Sequence, residues 1–246
     1  MFRNTLGYSI DVKTDKKHKE YFDIETDRTV NISVLDVKPD DKHLLLMVKS
    51  SDLAGLQTRK FLLGHDERHY FVAGVNERAR DVPDAKRFLQ PAPVREMADG
   101  LPKEQRFSRN NEKFKRQGEW FFVPVQKNID MKLVLKNEPI QRGRSKPHMC
   151  QWLYREGGEM VMVHSRYAPN GISKKDHAQR LKETEERAGK QAALNWNLGW
   201  REMMKDPEAY AKGSVRHPDH ATIVLRGWHR VFLSEEVTST AMAFLD

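Results

Sequence analysis

A single cysteine, Cys150, occurs in the 246 residues. That scarcity excludes an internal disulfide and any zinc site built from several cysteines of one chain. It also fits a reducing compartment. No stretch approaches the ~20 consecutive apolar residues that span a bilayer, and the amino-terminal stretch lacks the apolar core of a signal peptide. A cytoplasmic protein with no membrane partner is therefore expected. Neither an internal repeat nor a low-complexity tract is present, which excludes solenoids, propellers and biased linkers.

What the chain has in abundance is charge. Hydrophobic residues make up 38% and charged residues 32%, with 43 Lys and Arg against 35 Asp and Glu, a formal net charge of +8. Five tryptophans and eleven phenylalanines supply enough large apolar surface for a folded protein rather than a disordered one. A positive surplus favours polyanions, so nucleic acid is the expected partner.

Residues 1 to 75 read mainly as strands. VNISVLDV at 30–37 alternates clearly, and a Lys38-Pro39-Asp40-Asp41 turn leads into the apolar run 43–48. A second hairpin is expected from Lys60–Leu63 and His69–Val75, with the charged tip Gly64-His65-Asp66-Glu67-Arg68 between them. Asp81 or Asp84 is placed to cap a short helix through Leu89, and another helical turn runs from Ala92 to Asp99. Residues 101–118 carry six Lys or Arg and read either as a basic amphipathic helix or as a solvated loop. Beyond them come strand-like runs at 119–125, 131–135, 148–154 and 159–164. The pair Gly157-Gly158 predicts a hairpin between the last two.

Residues 173–211 form the clearest helical pattern, opened by Ser173 and restarted at Asp206-Pro207. The expected fold class is α+β, with antiparallel strands and hairpins and a substantial C-terminal helical segment. Residues 1–59 read as a strand-rich region belonging to the same fold, 60–233 as the main unit and 234–246 as a tail.

The richest chemistry lies in KGSVRHPDHATIVLRGWHRVFL at 212–233. His217, Asp219, His220 and His229 form a candidate catalytic cluster, since imidazole and carboxylate bind divalent metals and transfer protons. His217 and His220, with His65 and His69 of the earlier tip, are candidate ligands for a divalent metal. Pro218 favours a turn over a helix, so the helical HExxH arrangement does not apply. The plainer reading is a turn whose Asp219 bonds backbone amides. His148 and Cys150 point to one strand face, although two residues on one strand make a poor nucleophile and base pair. A second chemistry is phosphate contact by Arg106, Arg109, Lys113, Lys115, Arg116, Arg142, Arg144, Lys146, Arg216, Arg226 and Arg230, with guanidinium forks suited to phosphate oxygens.

The phrases GHDERHYFVAGV at 64–75, RQGEWFFVP at 116–124, NEPIQRGRSKPHMCQWLYREGGEMVMV at 137–163 and VRHPDHATIVLRGWHRV at 215–231 resemble a family of uncharacterised bacterial proteins. The likeness covers most of residues 60–233. It implies a coherent unit there and no particular activity.

Three functions follow as expectations. The first is a basic cytoplasmic nucleic-acid-binding protein that contacts mainly phosphates. The alternatives are a metal-dependent hydrolase or nuclease using the His/Asp cluster, and a structural or interaction protein of a mobile element.

Overall fold

A computed structural model of the chain describes residues 2–4, 7–52, 55–142 and 145–237. Strands account for 49% of the chain and helices for 20%. The chain divides into two compact units, one of Met1–Pro124, Pro218–Ile223 and Phe232–Ser239, the other of Val125–His217, Val224–Val231 and Thr240–Asp246.

In the first unit, β1 (Phe2–Asn4), β2 (Tyr8–Thr14) and β3 (Glu20–Thr26) form one antiparallel sheet. A second sheet is the meander β4 (Asn31–Lys38), β5 (His43–Asp52), β6 (Gly55–Asp66) and β7 (His69–Val75). Alternation along β5 and β6 explains how this meander is buried on both faces. Leu46, Val48, Phe61 and Leu63 pack with Tyr8 and Ile10 of β2. Leu45 and Leu62, pointing the other way, pack with Val82, Ala85 and Leu89 of helix α1 (Val82–Leu89). Successive residues on opposite faces are what the period of two requires. Each fully buried Leu or Phe here contributes about 1.5–3 kcal/mol relative to exposure.

Helix α1 begins where expected, with the Asp81 carboxylate accepting the Asp84 N–H at 2.7 Å. Helix α2 spans Ala92–Asp99. Residues 101–118 are no amphipathic helix. A 3-10 turn at Lys103–Gln105 precedes a loop in which Asn111 accepts the N–H groups of Lys113 and Phe114, both at 2.9 Å. That side chain offers the backbone partners a helix would otherwise supply. Phe114 is thereby turned into a cluster with Val94, Ala98, Phe121 and Val123. Strands β8 (Lys115–Gln117) and β9 (Trp120–Pro124) close the segment as an antiparallel pair.

In the second unit, β10 (Leu135–Ile140) pairs with β11 (His148–Glu156). A third antiparallel sheet joins β12 (Glu159–His164) to β13 (Ala168–Ser173) on one side. Helices α3 (Lys174–Ala188) and α4 (Lys190–Asn197) follow. Strand β14 (Arg201–Lys205) then pairs on the other side of β12. Strand β15 (Glu208–Arg216) pairs with β11, and β16 (Ile223–Leu233) is the next neighbour of β15.

Two expectations are corrected here. The substantial C-terminal helical segment is absent, because helix ends at Asn197 and residues 201–216 are strands. Met203 and Met204 sit opposite Val161 and Met160, so tertiary pairing overrides the helix propensity of Ala, Met, Glu and Lys. Asp206-Pro207 is the bend between β14 and β15, with Asp206 at φ 51°, and not a helix start. The second correction concerns Gly157-Gly158, which takes positive φ (65° and 83°) as a tight turn demands. The strands it joins nevertheless enter different sheets. Glu156 lies opposite Glu208 and Glu159 opposite Lys205, so the Gly pair and Asp206-Pro207 are adjacent corners of one ribbon changing sheets. A Cβ on Gly158 would stand 2.8 Å from the Lys205 carbonyl oxygen, which explains a glycine at the crossing. The residues of the expected tail from Thr238 on lie outside those described.

Among the described residues no helix is long and apolar enough to cross a membrane.

Candidate metal centre

The β6–β7 tip is a two-residue loop, with Asp66 opposite His69. Glu67 there holds φ at 50°, a conformation that L-residues other than Asn, Asp and Gly rarely adopt. Such strain persists only where surrounding contacts fix it, and here they do. The Glu67 Oε2 accepts the N–H of Ala221 at 2.7 Å, and the Arg109 guanidinium pairs with both Glu67 and Asp66. The neighbouring carbonyl of Ala221 accepts the amide Nε2 of buried Gln117 at 2.7 Å. The turn at 218–221 is thus held at its N–H by one strand tip and at its C=O by another element.

That tie brings the two histidine-bearing stretches together. His220 Nδ1 lies 3.7 Å from Glu67 Oε2, and His69 Nε2 lies 3.9 Å from Asp219 Oδ1. On its other edge His69 meets Glu20 Oε1 at 2.6 Å, and Glu20 Oε2 accepts the Tyr70 N–H at 2.7 Å. Desolvation opposes ionisation of Glu20, but the Tyr70 amide and the His69 imidazole outweigh it and hold the carboxyl below its usual range.

His217 leaves the end of β15 next to Arg216, whose partner on β11 is Met149. One residue further along this ladder, His148 and His217 stack with ring centroids 4.1 Å apart and planes 25° apart. His148 is buried, at 1% exposure. Donor atoms bound to one zinc-like ion at ~2.0–2.1 Å stand roughly 3.3 Å apart, so the 3.9 Å between His69 Nε2 and Asp219 Oδ1 is closed by small χ rotations.

The remaining expected residues are placed differently. His65 packs edge-on against Tyr70 at 5.1 Å. His229 is buried, with Nδ1 2.8 Å from the Gly227 carbonyl. Cys150 is fully buried, and burial pushes its thiol up to about 12, which removes it as a nucleophile.

Several of the expected phosphate-contacting residues also make bonds within the fold. Arg106 donates to the carbonyls of Leu101 and Asp99 at 3.0 and 3.1 Å. Arg116 donates to Gly118 O at 2.8 Å and lies over the Phe121 ring. Arg216 bonds Asn137 and Arg230 pairs with Glu208, while Lys113 lies 3.2 Å from Glu112. Lys146 and Arg226 are exposed, Lys115 and Arg142 half-buried. Arg144 lies outside the described residues.

Sequence reasoning passed over Glu20 as the partner of His69, and Glu67 and Gln117 as the residues that hold the turn of His220. Comparison with protein-family models, with curated proteins and with solved structures yields no match for this chain.

Proposed function

We propose that the protein is a metal-dependent hydrolase whose divalent ion is held by His69 and Asp219, with His220 of the same turn as the third ligand. The observation that carries this reading is the approach of His69 Nε2 to within 3.9 Å of Asp219 Oδ1, while Glu20 takes the other ring nitrogen of His69 at 2.6 Å. Three protein ligands would leave one position of a tetrahedral ion for water, the arrangement of catalytic rather than structural zinc sites. An ion held there would supply Lewis-acid activation of water. Glu67 has the part of an outer carboxylate: facing His220 Nδ1, it favours a proton on that nitrogen and leaves Nε2 for the metal. The net charge of +8 points to a polyanionic substrate, with nucleic acid the leading class, and the lone cysteine keeps the cytoplasm as the expected compartment.

The test is metal content and cobalt(II) spectroscopy of the purified chain. About one equivalent of metal per chain and the visible bands of tetrahedral cobalt are expected, both lost in His69→Ala and His220→Ala. Phosphodiester cleavage is expected to stop on chelation and return with zinc or manganese. Absence of zinc, cobalt and manganese binding in the folded protein refutes the proposal, as does binding that survives both substitutions.

A further inference from the structure

Away from the imidazoles, the second unit carries a cavity of about 250 Å³ lined by Tyr167, Arg180, Glu183, Thr184, Arg187 and Trp196. Four of these residues belong to α3 at positions i, i+3, i+4 and i+7, which a helix places on one face. The face is otherwise unusual, because α3 buries none of its residues. Only His177, Leu181 and Thr184 of this helix are half-buried, so the side chains on the cavity side are largely open to a ligand.

The aromatic wall is braced from behind. Trp196 is backed by His177, stacked at 5.1 Å and 26°, and by Trp200 at 4.9 Å. Tyr167 is backed by His164 at 4.5 Å and stands 6.2 Å from Trp196, with 45% of its surface exposed. Rings held this way form a platform that loses little entropy when a planar group stacks on it. A compact core for two short helices would bury Tyr167, and it is not buried.

The charges narrow the ligand. Arg180 and Arg187 stand about 10 Å apart along the helix axis, and both are exposed. Each presents donors suited to a phosphate. Glu183 lies between them, its Oε1 accepting from Gln179 at 3.1 Å. A bare polyanion would be opposed by that carboxylate. A nucleotide offers phosphate to the arginines, sugar hydroxyls or base amino groups to Glu183, and a base to the aromatic wall. We infer that this cavity binds a nucleotide unit, stacking its base on Tyr167 and Trp196 and its phosphate on Arg180 or Arg187. The inference deepens the nucleic-acid part of the reading above and is independent of the metal.

Fluorescence anisotropy with a labelled single-stranded oligonucleotide, in EDTA to keep the imidazoles metal-free, is the direct test. Salt-dependent binding is expected, weakened ~10-fold or more in the Arg180→Ala/Arg187→Ala double variant with a salt slope lower by about 2. Both arginines are exposed, so this variant should keep the fold, and circular dichroism checks it. Trp196→Leu is expected to weaken binding by ~5-fold to 100-fold through lost stacking. Displacement of the oligonucleotide by AMP supports the site with a free nucleotide as ligand. Failure of AMP to compete supports it with a strand as ligand. No binding by the wild type at low salt, or equal binding by the arginine double variant, overturns it. Either of those results leaves the metal proposal standing on its own test.

Discussion

Replacing Glu67 by Gln isolates the role of its charge. The amide keeps an oxygen to accept the Ala221 N–H, so the turn at 218–221 stays anchored, and Arg109 keeps Asp66 as a partner. What is lost is the negative charge facing His220 Nδ1. Outer-shell partners of this kind alter metal affinity by ~10-fold to 100-fold, equivalent to about 1.4–2.7 kcal/mol. The cost to the metal-free fold is smaller. Side chains of Arg109 and Glu67 retain 33% and 20% exposure, and a partly solvated pair contributes under about 1 kcal/mol. For a chain of this length that corresponds to a melting shift below about 4 °C. Zinc competition against a chromophoric chelator, with a thermal melt of the metal-free protein as control, separates the two. An unchanged zinc affinity at an unchanged metal-free melting temperature would refute the idea that Glu67 acts through His220.

Two other predictions concern titratable groups shifted by burial. Burial, and then the nearby charge of Lys86, pushes the His43 imidazole down to about 4. An unfolded His titrates near 6.5, so between these values the unfolded chain binds more protons. The His43 contribution is therefore complete above about pH 6.5 and lost as pH falls toward 4. Because the ring is only half-buried, that contribution is held to under about 2 kcal/mol. Urea denaturation of the wild type and His43→Gln should show a stability gap that narrows on going from about pH 7 to about pH 4.5; a gap that stays constant contradicts the assignment. Cys150, with its thiol raised to about 12 by burial, should resist iodoacetamide in the native protein and react fully in denaturant. Rapid native alkylation would show that the β11 face opens.

The first unit was largely legible from its sequence because its strands obey a local rule. VNISVLDV alternates, the Lys38–Asp41 turn carries Pro and Asp, and the tip at 64–68 separates two apolar runs, so each hairpin announces itself within some twenty residues. The Asp81 cap and the Ala92–Asp99 helix were legible for the same reason. Residues 201–216 were not, since their composition suits a helix and only the partners Val161 and Met160, Cys150 and Leu153 make them strands. The candidate site was half legible. His217 and His220 drew notice through their own chemistry, and the tip at 65–69 through its acids and histidines. That Glu67 meets Ala221, and that His148 falls beside His217, are matters of long-range register, which no periodicity encodes. His148 was noticed only as a neighbour of Cys150 on one strand face.

Strand β6 runs from the packed residues Phe61, Leu62 and Leu63 straight to Asp66, with Glu67 one residue beyond. The carboxylate that faces His220 is therefore the end of a beam rooted in buried residues of the first unit, paired with β5 over Gly55–Gly64 and with β7 over Lys60–Asp66. Such a beam opens only at a cost near that of unfolding the sheet. The strand that carries the tip therefore cannot swing aside as a gate. Accuracy of placement at the tip is inherited from the core, and a substitution as remote as Leu63 would be felt there as a loss of aim before it was felt as a loss of fold.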